Sequence, residues 1–158
     1  MKDFNVFHLN DINLKIEQSE CILSSSPGVG SVHKNRIITG LEALPLLSKA
    51  PINTSVNYWH RIEKTTPHLT SDCSYTSADF VYAQIKMMWS GISKDKAIVV
   101  GYPSEYSEKQ LGVLCGIFDA LRVNVIGLVN SDLSSLNKID IHQPIHLVRI
   151  QMNHTAQI

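Results

Sequence analysis

Few residues of this chain stand at spacings that do chemistry. Gly28-Val29-Gly30 comes nearest to a phosphate-cradling loop, in which backbone N–H groups left bare by glycine point at an anion. Gly28 follows Pro27, however, and neither a helix start nor a Gly-Lys-Ser/Thr run comes after it, so the segment reads as a plain turn. His142 and His146 are four apart, the spacing that sets two imidazoles on one helix face for a metal, but Pro144 between them breaks such a helix and they read as surface histidines. Cys115 sits beside an apolar stripe with no activating base in reach of the pattern, so it reads as a small buried packing residue. Ser104-Glu105 lies between a strand and a helix, yet the glycines of a Gly-x-Ser-x-Gly nucleophile elbow are missing. Tyr58-Trp59, in a stretch without regular pattern, is either a small core under a loop or an exposed contact for another protein.

The bulk numbers bound what these residues can serve. The chain has 158 residues, enough for one domain, and 44% of them are hydrophobic, which supports a packed core and excludes general disorder. Lys plus Arg (14) equals Asp plus Glu (14), so no net field draws in nucleic acid or an anionic membrane, and no local basic patch replaces it. Met1-Lys2-Asp3-Phe4 lacks the basic, long apolar and small-residue order of a secretory signal, and no apolar run reaches spanning length; a cytoplasmic address without membrane insertion is the expectation. Cys21, Cys73 and Cys115 form no C-x-x-C pair and read as reduced thiols.

The elements that must position the candidates follow from periodicity. Residues 4–23 alternate apolar and polar around a polar break at Glu17-Gln18-Ser19-Glu20, a β-hairpin, and residues 28–38 predict another strand pair after the Ser24–Gly28 turn cluster. A short amphipathic helix is expected over Gly40–Lys49, inside a surface excursion covering 40–75. A stronger helix starts at Thr76, where Asp79 completes a capping-box spacing and Val81, Ile85, Met88 and Ile92 share one face. Ala97–Gly101 is a short apolar run, the mark of a parallel strand buried on both faces. Ser107 and Gln110 then cap a helix with an apolar stripe at Leu111, Leu114, Phe118 and Leu121. Gly112 and Gly116, four apart, predict an edge of that helix lying close to a sheet. Val123–Val129 is a second parallel strand, completing a βαβ unit over 97–129, and Ile145–Met152 alternates as a further strand. The expected class is α/β, a mixed sheet with an antiparallel N-terminal meander, parallel βαβ strands, and helices packed on it.

That order, with its local residues, resembles the N-terminal lobe (subdomain I) of the actin-like and heat-shock-chaperone-like ATPases. The first hairpin with Pro27-Gly28-Val29 resembles the family's first phosphate hairpin and the strand after it. Ile37-Ile38-Thr39-Gly40-Leu41-Glu42-Ala43 is similar to the step "hhhGxxA", and Ala97 through Pro103, Tyr106 and Gln110 to "hhhxxPxxYxxxQ". Ile126 through Ser135 is similar to the connection "hhxNEPTAA". The resemblance spans nearly the whole chain and implies a ribonuclease-H-like, actin-type fold over 1–158 as one lobe, an excised part of a longer two-lobed protein.

The resemblance also implies where nucleotide chemistry would lie, and there the residues depart from it. The family's first hairpin carries Asp-x-Gly; no glycine precedes Gly28 here, and Asp11 and Asp3 are the nearby acids, so Cβ atoms stand where amides should approach phosphate. After Asn130, the family's Glu falls on Ser131, with Asp132 one position out of register. In the second phosphate hairpin "hhDxGxxxT", Arg149 replaces the Asp and Gln151 the Gly, with Thr155 retained. Two unit charges ~4 Å apart at an effective dielectric of ~20 interact by ~4 kcal/mol, so a guanidinium beside the metal position is enough to empty it. Arg149 is then either a phosphate ligand of an altered site or the partner of an acid such as Asp132, the second being preferred. The expected function is a non-catalytic scaffold or interaction domain with an unidentified protein partner, no cofactor and self-association left open. The alternative is an ATP- and Mg²⁺-binding lobe of chaperone or sugar-kinase type, with Asp11 and Asp132 as the acids.

Overall fold

The computed structural model describes residues 4–65, 68–69, 74–93 and 95–134. The expected strand over 145–152, together with Arg149, Gln151, Thr155, His142, His146 and Cys73, lies outside the described residues. Ten strands and four α-helices appear in the described part. They run β1 (Asn5–His8), β2 (Leu14–Gln18), β3 (Cys21–Ser26), β4 (Gly30–His33), β5 (Arg36–Thr39), α1 (Leu46–Lys49), β6 (Thr54–Ser55), β7 (His68–Leu69) and β8 (Ser74–Tyr75). There follow α2 (Ser77–Met88), β9 (Ile98–Tyr102), α3 (Glu108–Ala120), β10 (Val125–Asn130) and α4 (Ser131–Ser134).

The main sheet has the order β10-β9-β1-β2-β3. β1 is the pivot: it pairs antiparallel with β2, Phe7 opposite Ile16, and parallel with β9, Phe7 opposite Val100. β9 and β10 are parallel, joined through α3, as the βαβ spacing predicts. The stretch 4–23 holds most of a three-stranded meander rather than a single hairpin, because Ser19 and Glu20 alone form the tight turn, both at positive φ (47° and 67°), while Glu17 and Gln18 stay in β2. Lys34 and Asn35 make the same kind of turn between β4 and β5, which form a second sheet of order β5-β4-β6.

Helices α2 and α3 begin where their capping residues say. The Thr76 N–H donates to Asp79 Oδ2 at 2.7 Å, and the Ser107 N–H to Gln110 Oε1 at 2.8 Å, each answered by the reciprocal bond to the hydroxyl. The apolar stripes of both pack on the sheet face that carries Phe7, Ile16, Ile98 and Val100. Phe118 meets the Phe7 ring edge-on at 5.5 Å between centroids. On the opposite face Val6 and Val99 stay half-buried, so β9 is not the doubly covered strand its apolar run predicts. Among the described residues β10 lies at the sheet edge, with Ile126 and Val129 exposed. Gly112 and Gly116 have open space beside them, so the glycine edge of α3 faces away from the sheet, contrary to the expectation of close approach. Cys115 is half-buried rather than buried. Among the described residues no helix is long and apolar enough to cross a membrane.

The largest departure concerns the stretch expected as a surface excursion. Leu41, Leu47 and Ile52 are indeed exposed, and the helix expected over 40–49 is reduced to a 3-10 turn at Gly40–Glu42 and the single turn of α1. Tyr58, Trp59 and Ile62, however, lie in the centre of the core, with both aromatic side chains at 0% exposure; neither ring is available as a contact surface. Their polar atoms force a partner, and Gln84 supplies it. Gln84 lies within the buried face of α2, wholly buried, and its Oε1 accepts from the Tyr58 hydroxyl and, at 2.8 Å, from Trp59 Nε1. Its Nε2 donates to Ser26 Oγ (3.0 Å) and the Pro27 carbonyl (2.7 Å). Replacing Gln84 by Leu leaves the Tyr58 hydroxyl and the Trp59 indole N–H buried without partners, at about 1–3 kcal/mol for each one orphaned, while the Pro27 carbonyl keeps the Val29 N–H. Gln84→Leu is therefore expected to lower unfolding stability by about 3 kcal/mol or more, read from urea denaturation followed by tryptophan fluorescence, whereas Lys86→Leu on the exposed side of α2 should change it little.

Candidate functional site

In an open sheet with parallel strands, ligands sit beyond the carboxyl ends of those strands, where the connections diverge to either side. Here that place lies beyond β1, whose neighbours on its two sides run in opposite senses. The chain leaves β1 through Leu9-Asn10-Asp11-Ile12-Asn13. Asn10 closes the turn on itself, its Oδ1 accepting from the Ile12 N–H at 3.1 Å and its carbonyl from the Asn13 N–H at 2.9 Å.

The far side of the turn is buttressed by backbone. The Gly28 N–H donates to the Asp11 carbonyl at 2.7 Å, and a Cβ at Gly28 would fall 2.0 Å from that oxygen. The glycine that reads as part of a plain turn is thus required by close approach, and its role is to seat the β1–β2 turn rather than to bind an anion.

The Asp11 carboxylate is 2% exposed and faces His60, with Oδ2 3.2 Å from His60 Nε2. The ring N–H is not aligned well enough to count as a hydrogen bond, so the attraction is chiefly that of an ion pair that a small ring rotation would convert into one. The close approach of the Asp11 carboxylate to the ring nitrogen is the foremost influence raising the His60 pKa; burial opposes it and loses, and the charges of Asp11 and Glu105 add to the rise. His60 is held over the turn by α3 and the loop before it: Gln110 Nε2 donates to the His60 carbonyl at 2.7 Å and the Tyr106 hydroxyl to the Trp59 carbonyl at 2.8 Å. Burial foremost drives the Tyr106 phenol pKa far upward, so it remains a donor.

Asp11 and His60 therefore pin the first turn to the 58–62 segment. Asn130, Ser131 and Asp132 end β10 and begin α4. Asn130 Oδ1 accepts from the Asp132 N–H at 3.0 Å and the Leu133 N–H at 3.2 Å, as an N-cap does. Asp132 Oδ2 accepts from the Ser104 N–H at 2.8 Å and also from the Ser104 hydroxyl, tying the β9–α3 loop to α4. Ser131 Oγ donates to the Tyr102 carbonyl at 2.7 Å.

Asp11 and Asp132 are thus engaged by different partners. The structure brings Ser131 to the first turn: it lines, with His8, Leu9, Asn10, Asn13, Lys15 and Glu17, a concavity of about 300 Å³. Asp11 and Asp132 are not in that lining. Among the described residues no group of three or more His, Cys, Asp or Glu could hold a metal ion.

Three members of the lining escape a reading based on motifs. Asn13 Oδ1 accepts from Ser25 Oγ at 2.6 Å, and Asn10 Oδ1 is taken by Ile12, so both carboxamides are oriented with their NH₂ groups left to donate. Lys15 has no ion-pair partner among the described residues, whereas Glu17 is paired with His8 at 3.1 Å. The sequence signal for these donors is the Asn-x-x-Asn-x-Lys spacing around the turn. His60 carries no such signal, since only folding places it over Asp11.

A raised imidazole pKa means that the pair contributes its full stability below the ordinary histidine value of 6.5 and loses it as pH rises through the folded value. Wild-type stability should accordingly fall with pH above about 6.5, and Asp11→Asn should flatten that slope. At pH 6, His60→Ala should destabilise by about 3 kcal/mol or more by leaving a buried carboxylate alone, while the double variant recovers part of the loss. Chemical denaturation across pH 5.5 to about 8.5 measures both effects.

No family model and no curated protein matches this chain.

Proposed function

We propose that this chain is a non-catalytic domain of the actin and heat-shock-chaperone ATPase type, with a ribonuclease-H-like fold, that acts by contact with another protein. The antiparallel β1-β2-β3 meander and the parallel β9-α3-β10 unit on either side of β1 support the fold reading. So do the roles of Tyr106 and Gln110, which span from the start of α3 and the loop before it to the 59–60 segment.

The observation that carries the non-catalytic reading is the state of Asp11. A carboxylate positioning Mg²⁺ or an attacking water must face the ligand, and this one is buried against a histidine away from the concavity. Asp132, the other acid in reach of the motif, accepts from Ser104 instead.

A second reading is favoured by the donors of Asn10, Asn13 and Lys15, which suit a phosphate-bearing ligand. On that reading the chain is an ATP-binding lobe of chaperone or sugar-kinase type.

Thermal melts with millimolar ATP and Mg²⁺, together with a phosphate-release assay, separate the two. The non-catalytic reading expects no saturable shift and no turnover. A ligand at ~100 times its Kd stabilises by about 2.7 kcal/mol, so binding would be plain in the melt. A shift abolished by Lys15→Ala would establish the second reading, and turnover lost in Asp11→Asn would defeat the first.

A further inference from the structure

We propose that the groove between β3 and β5 receives an extended peptide segment of a partner protein, added as a strand along β5. β3 ends one side of the main sheet and β5 one side of the smaller sheet, so each presents an unpaired backbone edge among the described residues. Both edges open on one groove of about 430 Å³, lined by Ser25 and Ser26 of β3, Ile37 to Thr39 of β5, and Ala83 and Met87 of α2 as its floor.

Gly40 brings the two edges together at one end. It takes φ +70°, and a Cβ there would lie 2.4 Å from Ser26 Oγ and 3.1 Å from Met87.

The parity of the β4–β5 ladder says which β5 groups face the groove. The two-residue turn at Lys34-Asn35 makes His33 and Arg36 a hydrogen-bonded pair, and the Gly40 N–H donates to the Val29 carbonyl at 2.8 Å, so the pairs in between alternate in step. Ile37 and Thr39 therefore direct N–H and C=O away from β4. Another backbone in extended form can take the place of water along such a row, which is the logic of strand addition.

The charges fix the rest of the occupant. Arg36 stands at one end of β5, Glu42 lines the other end of the groove, and neither has an ion-pair partner among the described residues. Between them the floor is apolar, with Met87 43% exposed. The complementary peptide carries an acid toward Arg36, a base toward Glu42, and between them an apolar side chain seated over Ala83 and Met87. Assigning the groove to a peptide rests on the interaction-domain function proposed above and names the class of its partner.

The test is a randomised heptapeptide display library panned on the intact chain, with Met87→Glu as counter-selection. A selected peptide is then synthesised and measured by fluorescence anisotropy. Selected sequences should alternate apolar and polar residues with opposite charges at the two ends, and should bind the wild type at least tenfold more tightly than Met87→Glu. The double variant Arg36→Glu, Glu42→Lys should prefer the charge-reversed peptide. N-methylation of alternate peptide amides should abolish binding, and amide exchange at Ile37 and Thr39 should slow at least tenfold when peptide is added.

Failure to select any sequence that distinguishes the wild type from a folded Met87→Glu overturns the proposal. So does a wild-type dimer that Met87→Glu converts to monomer, since a second copy would then fill the groove. Loss of the groove with continued indifference to ATP leaves the non-catalytic reading standing, whereas ATP turnover with peptide binding intact removes that reading alone.

Discussion

A carboxamide set in the apolar face of a helix must find partners for both its ends, and at Gln84 those partners organise the fold. Its oxygen accepts from Tyr58 and Trp59, and its nitrogen donates to Ser26 and Pro27. One side chain thereby joins α2 to the end of β3 and to a stretch of chain with little regular structure of its own. Without those bonds the Tyr58 hydroxyl and the Trp59 indole N–H would be buried unpaired, and the rings could not lie under the sheet.

Seating that stretch has consequences at the end of β1. With Trp59 fixed against Phe7, the backbone at 59–60 comes within reach of Gln110 in α3 and of Tyr106 just before it, which donate to its carbonyls. His60 is then held where its ring meets Asp11, and Gly28 seats the same turn from the other side. The acid that could have served a metal is instead part of the scaffold. What lines the concavity at the turn is a set of donors from Asn10, Asn13 and Lys15 beside the paired Glu17 and His8.

The two sheets are unequal in how they are finished. α2 and α3 cover one face of the main sheet, while among the described residues β3 and β5 keep open edges around a shared apolar floor. Natural strands at an edge are commonly protected by Lys, Pro or a covering element. Cys21–Ser26 contains neither Lys nor Pro, and β5 has only Arg36 at its start. That contrast marks the groove as a surface with an occupant to accommodate.

Local patterns determined much of this protein. Thr76 with Asp79 and Ser107 with Gln110 announce the two main helices because capping bonds span only three residues. The apolar runs at 97–101 and 123–129 likewise announce parallel strands because a crossover helix stands between them. Contacts distant in sequence were decided only by tertiary packing. Tyr58 and Trp59 are silent in a patternless segment until Gln84, some twenty-five residues on, satisfies them. Burial of β9 and β10 depends on which faces other elements reach, and so does the side on which Gly112 and Gly116 emerge. Asp11 is an acid at a suggestive position by sequence. Its engagement with a histidine forty-nine residues away is a property of the fold, because charge acts through space and not along the chain.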